Sequence, residues 1–382
     1  MRLLRRPPSI QWRAPRNDGS LKKMGITGGV LELDGSRYSG SGTIVRTGLA
    51  LAALRNQPLR VTRIREKRPT PGLRPQHLAA VKAIETLCQG RLVGAEVGSR
   101  ELSFFPGGKI QAGSYVWAIG TAGSTTLLGM ALLPLLIFAS ARSSVRIQGG
   151  LFQDYAPNPY HMEFLFAPLL RPMGAELKLA LKKPGYYPKG GGEIEIETQP
   201  LEHPLRPVRL LEKGKLKSIK GVALSSHLKQ ARVSERIRTS ALEFLSSRNF
   251  TAQIECVYEE KADQPGAAFC LWAETDTGCR FGADLAGKPG LASEAIGREV
   301  ARKLCLFLEG KGTVDPFLAD QLIPYAGLAE GTSEYLLPEL TEHVESNLWL
   351  IETLLSAKYE LKGLHLKIQG IGQIPQRSPT HT

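Results

Sequence analysis

An apolar helical stretch occurs twice along the chain, each time after a loop of small residues. The first, GTIVRTGLALAAL, begins at Gly42, and the second, GSTTLLGMALLPLLIFA, begins at Gly123, about eighty residues later. Each leads to a run typical of a β-strand, VTRI at 61–64 and VRI at 145–147. The pattern therefore predicts an internal repeat.

Each copy continues with a second amphipathic helix and two strands. Helices are predicted from Pro75 to Cys88 and from Pro159 to Met173. The strand-like runs RLVGAEV and ELSFF follow in the first copy, and ELKLALK and EIEIE follow in the second. The predicted unit is strand-helix-strand-helix-strand-strand, and such units must stack to bury their open faces.

Residues 203–285 interrupt this rhythm with one helix and several strands, which predicts a smaller inserted α/β domain. The repeat pattern resumes with helical runs at 291–308, 316–328 and 341–356 and ends on the strand YELKGLHLKI. The predicted fold class is α/β (α+β). We assign residues 30–202 and 286–370 to one large repeat domain and 371–382 to a flexible tail.

The N-terminal segment 1–29 is expected to be a basic, disordered leader. Residues 1–23 carry seven Lys or Arg and one Asp, so +6 of the net charge of +13 lies there. Met24 is a candidate alternative start, and an RNA-binding arm or a targeting tail are the other interpretations. The remaining surplus attracts polyanions, although a solvated basic face explains it equally well.

The sequence predicts no membrane span and no metal-binding cysteine motif. The apolar run from Leu127 to Ala139 contains Pro134 and falls short of the roughly 20 residues that a bilayer requires. The five cysteines form no CxxC pair and no zinc-finger spacing. We expect reduced thiols in a cytoplasmic protein.

Two common nucleotide-binding devices are absent from the sequence. Gly312 follows Gly310-Lys311 where a P-loop requires Ser or Thr. Glu32 precedes Leu33-Asp34-Gly35, where a lysine-adenylating ligase has its lysine. An ATP-using function would need another kind of site.

Two glycine-rich loops are candidates for close contact with a ligand. In DGSRYSGSGTIVR, residues 34–46, Gly40 and Gly42 precede a helix whose free N–H groups suit an anion, and Arg46 lies one turn later. In PGYYPKGGGEIEI, residues 184–196, three consecutive glycines indicate a backbone that closely approaches something. A capped tight turn and an unusual hairpin are the alternatives.

A short loop, RIREKRPTPGLRPQH, collects basic residues between a strand and a helix: Arg63, Arg65, Lys67, Arg68 and Arg74. Guanidinium groups bind phosphates through two hydrogen bonds at once. The alternative is a solvated charge run, but three prolines stiffen this loop. It is a candidate phosphate-binding site.

Together these motifs resemble the RNA 3'-terminal phosphate cyclases. The resemblance rests on DGSxxSGSGTIVRTGLAL, RxxRPTPGLRPQHLAAVKA, AIGTAGSTTLL, GYYPKGGG, FLADQL and a late histidine in HVESN, in one order over about residues 30–370. It implies a fold of three repeated units with one inserted domain, akin to the enolpyruvyl transferases. The implied partners are ATP, with Mg²⁺ or Mn²⁺, and RNA 3'-phosphate ends, without a membrane.

The resemblance also implies a reaction in three steps. A histidine attacks the α-phosphate of ATP, AMP passes to the RNA 3'-phosphate, and the vicinal 2'-OH displaces AMP to give a 2',3'-cyclic phosphate. His343 matches the adenylated histidine, whereas without the resemblance His77 is an equal candidate. A neutral imidazole is a suitable nucleophile near pH 7.

Further roles are carried over by position. Arg46, Arg68 and Asp320 match residues with catalytic roles beside His343. The residues implied for ATP are Phe317 and Pro157, which would stack on adenine, together with Asp320, Gln321, Arg65 and Gln76. Arg65, Arg68 and Arg74 are predicted to bind RNA phosphate.

Ser39 departs from the family pattern, because the family has a metal-binding glutamate at this position. A hydroxyl is a poorer Mg²⁺ or Mn²⁺ ligand than a carboxylate, so no metal ligand is assigned. This departure favours a rival interpretation, a non-catalytic cyclase-like factor that binds RNA during ribosome assembly. An enolpyruvyl transferase is a second rival, but that fold usually needs twice as many repeats.

Overall fold

The computed structural model describes residues 29–377. The predicted leader lies outside the described residues except for residue 29, and so do residues 378–382 of the predicted tail. The first unit consists of β1 (Leu31–Asp34), α1 (Gly42–Leu54), β2 (Leu59–Thr62), α2 (Pro75–Leu87), β3 (Arg91–Val93) and β4 (Leu102–Phe105).

The second unit repeats this order with one irregular helix. It contains β5 (Ser114–Ala118), α3 (Thr125–Phe138), β6 (Ser143–Gly149), α4 (Pro159–His161), a π-helical turn (Met162–Phe166), α5 (Ala167–Leu170), β7 (Leu177–Lys183) and β8 (Gly192–Thr198). The single helix predicted from Pro159 is thus interrupted by a π-turn. In β8 the predicted alternation is present, because Ile194 and Ile196 are buried between glutamates that are only partly buried.

A third unit surrounds the inserted one. It consists of β9 (Arg209–Leu210), α8 (Pro316–Gln321), α9 (Ile323–Leu328), β14 (Glu330–Leu336), α10 (Glu342–Leu355), β15 (Lys358–Lys362) and β16 (His365–Ile371). Between β9 and α8 lie β10 (Leu216–Ser226), α6 (Val233–Ser247), β11 (Gln253–Tyr258), β12 (Gly266–Thr275), β13 (Arg280–Ala286) and α7 (Ser293–Glu309).

The three repeated units have the same sheet topology. The strand orders are β1-β2-β4-β3, β5-β6-β8-β7 and β9-β14-β16-β15. In each sheet the first two strands are parallel, and the fourth strand pairs antiparallel with the second and the third. The inserted unit has a different order, β11-β10-β12-β13. The predicted α/β fold of three repeated units with a smaller insertion is confirmed.

The boundaries at 203 and 285 differ from those that the contacts define. Arg209–Leu210 pair in parallel with β14, so they form the first strand of the third unit. Helix α7 packs on α6, β12 and β13. We propose residues 216–309 as the inserted unit, because a helix belongs to the unit whose sheet it covers.

The C-terminal segment also differs from its prediction. The final strand is a hairpin of β15 and β16, which turns at Gly363. Within the predicted tail, Gln376 donates its backbone N–H to the Phe138 carbonyl (3.1 Å) and accepts a hydrogen bond from the Ile110 N–H (3.0 Å).

The helices of the units pack on one another, and hydrogen bonds join the start of α1 to that of α10 and the start of α2 to that of α3. Helix α1 contacts α2, α3 and α10, and α2 also contacts α3. The apolar α3 is almost entirely buried there. No helix in residues 29–377 combines the length and the apolar character that crossing a bilayer requires. The five cysteines are free thiols.

Candidate active site

Side-chain caps define the starts of the helices that form the site. Ser41 accepts a hydrogen bond from the Thr43 N–H at the start of α1, and Ser124 accepts one from the Leu127 N–H at the start of α3. Thr341 caps α10 in the same way. Such caps satisfy backbone groups that would otherwise lack partners. Six predicted residues line one cleft beside these helices: Arg46, Pro157, Phe317, Asp320, Gln321 and His343.

His343 lies in the first turn of α10 with one ring nitrogen engaged. Its Nδ1 is 3.2 Å from the Thr43 hydroxyl and 3.9 Å from Asp320 Oδ2, while 43% of the side chain is exposed. Burial, then the positive charges of Arg46 and Arg68, lower the pKa of His343. The imidazole is therefore neutral at pH 7, and its contacts with Thr43 and Asp320 are made through Nδ1.

Asp320 and Arg46 are two ionisable side chains that line the cleft together with His343. Burial, reinforced by Asp315, raises the pKa of Asp320 to about 7, although Arg46 opposes the shift. Burial and the neighbouring Arg65 lower the pKa of Arg46 to about 10, so it remains a cation at neutral pH. A cation held in a partly desolvated cleft can stabilise charge on a phosphoryl group.

His77, the equal candidate from the sequence, occupies a different environment. It is only 3% exposed, and its Nδ1 accepts the Arg74 N–H (3.2 Å). A Cβ on Gly42 would come within 2.1 Å of its Nε2. Burial and the surrounding arginines lower the pKa of His77 to about 2. It is a neutral packing residue between α1 and α2.

Phe317 and Pro157 face the cleft from two different units. Phe317 is 36% exposed, and its ring meets the His161 ring edge-on at 5.7 Å between centroids. Pro157 is buried, and its carbonyl accepts the Thr126 hydroxyl (2.6 Å). The Phe317 ring and the Pro157 ring therefore provide two apolar surfaces in the cleft.

Three residues that line the cleft each have a buried polar atom that lacks a hydrogen-bond partner in the described structure. These atoms are Gln321 Oε1, Tyr325 OH and Asn347 Oδ1. The other end of the Asn347 amide donates to the Asp320 carbonyl (2.9 Å). Buried polar atoms normally have partners, so these suit a polar ligand. Asn347 was not among the predicted site residues, although its position one helical turn after His343 is a usable signal.

Tyr155, another lining residue, was also missed. It is 96% exposed and has a φ of +64°, a conformation that is uncommon for a residue other than glycine. Nothing in the sequence pattern distinguished it from an ordinary loop residue.

The basic loop, residues 63–77, lies next to the cleft, and hydrogen bonds within the loop hold its conformation. Arg65 donates to the carbonyls of Thr70 (2.7 Å) and Gly72 (2.9 Å), and Arg68 donates to the Ser39 carbonyl (3.4 Å). Burial, Arg74 and Arg68 lower the pKa of Arg65. Exposed Arg74 precedes α2. These cations lie close enough to repel one another, as expected of a polyanion site.

The predicted ATP contact Gln76 connects two helices. Its side-chain oxygen accepts the Ser124 N–H (3.0 Å), which joins the start of α2 to the start of α3. Gln76 does not line the cleft itself.

The second glycine loop packs against the inserted unit. A Cβ on Gly191 would lie 2.1 Å from Asp263, and one on Gly190 would lie 2.9 Å from the Ala122 backbone. Lys189 donates to the Asp263 carbonyl (2.9 Å). The close approach indicated by the three glycines is therefore made to protein.

Ser39 is 3% exposed, and its hydroxyl is engaged. It lies 2.8 Å from the Ser346 hydroxyl on α10 and 3.0 Å from that of Ser41. Among residues 29–377, no three His, Cys, Asp or Glu side chains are grouped as a metal site requires. Asp320 is the one carboxylate among the described residues that line the cleft. This donor set does not fit a protein-held Mg²⁺ or Mn²⁺.

Fold and site together define an α/β enzyme with a cleft of histidine and arginine side chains between repeated units. A family model described as RNA 3'-terminal phosphate cyclase matches residues 37–361. The chain belongs to the RNA 3'-terminal phosphate cyclase family.

Curated relatives support this assignment over most of the chain. The RNA 3'-terminal phosphate cyclase of Pyrobaculum neutrophilum is 36% identical and covers 90% of this chain and 99% of its own. The RNA 3'-terminal phosphate cyclase of Thermococcus gammatolerans is 38% identical, and the match covers 87% of this chain and 94% of that protein.

Among solved structures, the enolpyruvyl transferase NikO from Streptomyces tendae matches with a TM-score of 0.41 and 12% identity, over 92% of this chain and 50% of that one.

Proposed function

We propose that the protein converts an RNA 3'-terminal phosphate into a 2',3'-cyclic phosphate with ATP as the activating nucleotide. The observation that carries this proposal is the orientation of His343. Its Nδ1 faces Thr43 and Asp320, so Nε2 is available in a cleft that also contains Arg46.

In the first step, Nε2 of His343 attacks the α-phosphorus of ATP. The N–P bond forms, the bond to the bridging oxygen breaks, and pyrophosphate leaves. Nδ1 keeps its proton, and the developing positive charge on the ring is stabilised by the Asp320 carboxylate. Arg46 stabilises the negative charge on the phosphoryl oxygens. The gap of 3.9 Å to Asp320 is compatible with this role, since catalytic hydrogen bonds often shorten only when substrate binds.

In the second step, an oxygen of the RNA 3'-phosphate attacks the phosphorus of the histidine adenylate. The N–P bond breaks, which regenerates His343 and gives an RNA with AMP joined to its terminal phosphate. In the third step, the 2'-OH attacks the RNA phosphorus, loses its proton to solvent and expels AMP. Geometry accelerates this ring closure, because nucleophile and phosphate belong to the same nucleotide.

ATP is proposed to place its base between Phe317 and Pro157. Gln321 and Asp320 lie on the same short helix as Phe317, so one element would contact base and reaction centre. The unpaired polar atoms of the cleft support a ligand with hydrogen-bonding groups. Gln76 would act on ATP through its contact with Ser124.

RNA phosphate is proposed to bind at Arg65, Arg68 and Arg74. Arginine forks match phosphate oxygens, and the adjoining helix starts add favourable backbone dipoles. Because the protein donor set does not fit a metal, no step is assigned to one here.

The test uses ATP labelled at the α-phosphate. We expect acid-labile, alkali-stable label on the wild-type protein and none on His343→Ala. His77→Asn is the matched control, since it alters a histidine that packs beside Gly42, and it should still become labelled. Label that persists on His343→Ala would contradict the assignment of the nucleophile.

The alternative function, an RNA-binding factor in ribosome assembly, is favoured by one observation. Ser39 uses its hydroxyl for packing against Ser346 and supplies no carboxylate. If no label forms on wild type with either Mg²⁺ or Mn²⁺, while RNA still binds, this alternative replaces the cyclase.

A further inference from the structure

A single buried carboxylate joins three parts of the molecule. Asp315 and His161 have fully buried side chains. Asp315 Oδ1 accepts the backbone N–H groups of Phe317 and Leu318, both at 2.9 Å. Its Oδ2 accepts the Gly282 N–H (2.9 Å) and lies 3.2 Å from His161 Nε2. The carboxylate thus has partners on both oxygens.

The partners of Asp315 come from different units. His161 ends α4 of the second unit, Gly282 lies in β13 of the inserted unit, and Asp315 caps α8 of the third unit. A Cβ on Gly282 would lie 2.5 Å from the Leu165 side chain and 3.1 Å from the His161 ring. The absence of a side chain on Gly282 therefore allows the strand to approach the pair.

Helix α8 is where this junction reaches the cleft. It has six residues, and three of them, Phe317, Asp320 and Gln321, line the site. A helix this short has few internal hydrogen bonds, so its direction depends on how its first turn is held. Asp315 holds that turn, and the His161 ring also contacts Phe317 edge-on.

We propose that His161 and Asp315 are positioning residues, which orient α8 so that Phe317, Asp320 and Gln321 face the nucleotide. The inserted unit thereby contributes to the site through the Gly282 N–H, although it lines no part of the cleft. The proposal rests on the proposed function for the identity of the ligand. Changing the Asp315 carboxylate removes a charged acceptor that the Phe317, Leu318 and Gly282 N–H groups and the His161 ring share, which would allow α8 to shift.

The test compares Asp315→Asn and His161→Gln with Tyr186→Phe. The control removes the buried hydrogen bond of Tyr186 with the Ser226 hydroxyl (3.0 Å), which also connects the second unit to the inserted unit but does not involve α8. Calorimetry gives the Kd of AMP, which cannot adenylate the protein without pyrophosphate. Steady-state cyclisation gives kcat and the KM values for ATP and RNA.

We expect the Kd of AMP and the KM for ATP to rise about tenfold in Asp315→Asn, because a shifted stacking ring costs about that factor. The KM for RNA should stay within about twofold of wild type, since its proposed arginines lie elsewhere. The double variant should be no worse than the poorer single one, as expected for residues that act as a unit. Tyr186→Phe should leave both KM values near wild type.

Equal rises in both KM values, or a tenfold weakening in the Tyr186 control, would overturn the positioning role. If Asp315→Asn does not fold, His161→Gln decides the question in the same measurements. A wild type that binds AMP but neither forms label nor cyclises RNA refutes the proposed function and leaves the positioning test valid through Kd. A wild type that fails to bind AMP contradicts both proposals.

Discussion

The Thr43 hydroxyl lies 3.2 Å from Nδ1 of His343, although the two residues are 300 positions apart in the chain. Thr43 is in the first turn of α1 and His343 is in the first turn of α10. The contact therefore joins the first unit to the third. The site is complete only when these two units pack together.

Thr43→Val should slow histidine adenylation by about tenfold, the size expected for losing one hydrogen bond of about 1.4 kcal/mol in the transition state. Valine keeps the shape but cannot fix the proton on Nδ1. The rate of label transfer from α-labelled ATP measures the effect. Thr86→Val is the control, because among the described residues the Thr86 hydroxyl bonds only to the Lys82 carbonyl on α2. An unchanged rate in Thr43→Val would show that Asp320 alone orients the ring.

The adenylation rate should rise with pH and reach half its maximum near pH 7. Asp320 has a pKa of about 7, and only its ionised form can stabilise positive charge on His343. His343 is already neutral there, because burial and Arg46 lower its pKa below the ordinary 6.5. Asp320→Asn should lower the plateau and move the midpoint below pH 6.5. Rates measured from pH 5 to 9 would contradict this if the variant kept a midpoint at 7.

The fold was largely predictable because two copies of the unit are intact in the sequence. The third was harder to find, because its first strand has two residues, Arg209–Leu210, and the inserted unit separates it from α8. Periodicity cannot detect so short a strand. The assignment of α7 depends on packing against α6, which no local pattern contains.

The candidate site was predictable where motifs are local. FLADQL and HVESN brought Asp320, Gln321 and His343 into the prediction, and all three line the cleft. The contact of His343 with Thr43 depends on the packing of distant units. His343 was distinguished from His77 by exposure, since the His343 side chain is 43% exposed whereas His77 as a whole residue is 3% exposed. Exposure depends on the folded structure and cannot be taken from the sequence.

Ser39→Ala and Ser346→Ala should each lower the free energy of unfolding by about 1 kcal/mol, the usual contribution of one hydrogen bond. Their hydroxyls are 2.8 Å apart and buried, so the double variant should cost less than the sum. Chemical denaturation of the four proteins gives the coupling. Adenylation should survive in Ser39→Ala, because this hydroxyl packs rather than binds ligand. A loss of activity without a loss of stability would instead give Ser39 a direct role.

Arg74→Ala should raise the KM for RNA severalfold and reduce the slope of log KM against log salt by about one, as expected when a single phosphate contact is lost. The KM for ATP should not change. Arg302→Ala is the control, since Arg302 is a surface arginine of α7 paired with Glu299. Equal salt dependence in both variants would remove Arg74 from the proposed RNA site.

Phe317→Ala should raise the KM for ATP about tenfold, because base stacking on an aromatic ring contributes about 1–3 kcal/mol. Phe317→Tyr should restore the wild-type value, since it preserves the ring face. The ring is 36% exposed, so its removal should change the free energy of unfolding far less than truncation of a core phenylalanine such as Phe166.

Steady-state kinetics with ATP and GTP would separate stacking from base recognition. A pure stacking loss weakens both nucleotides by the same factor, whereas a change in their ratio would show that Phe317 also sets the position of the base against Gln321. An unchanged KM for ATP in Phe317→Ala would place the base elsewhere in the cleft.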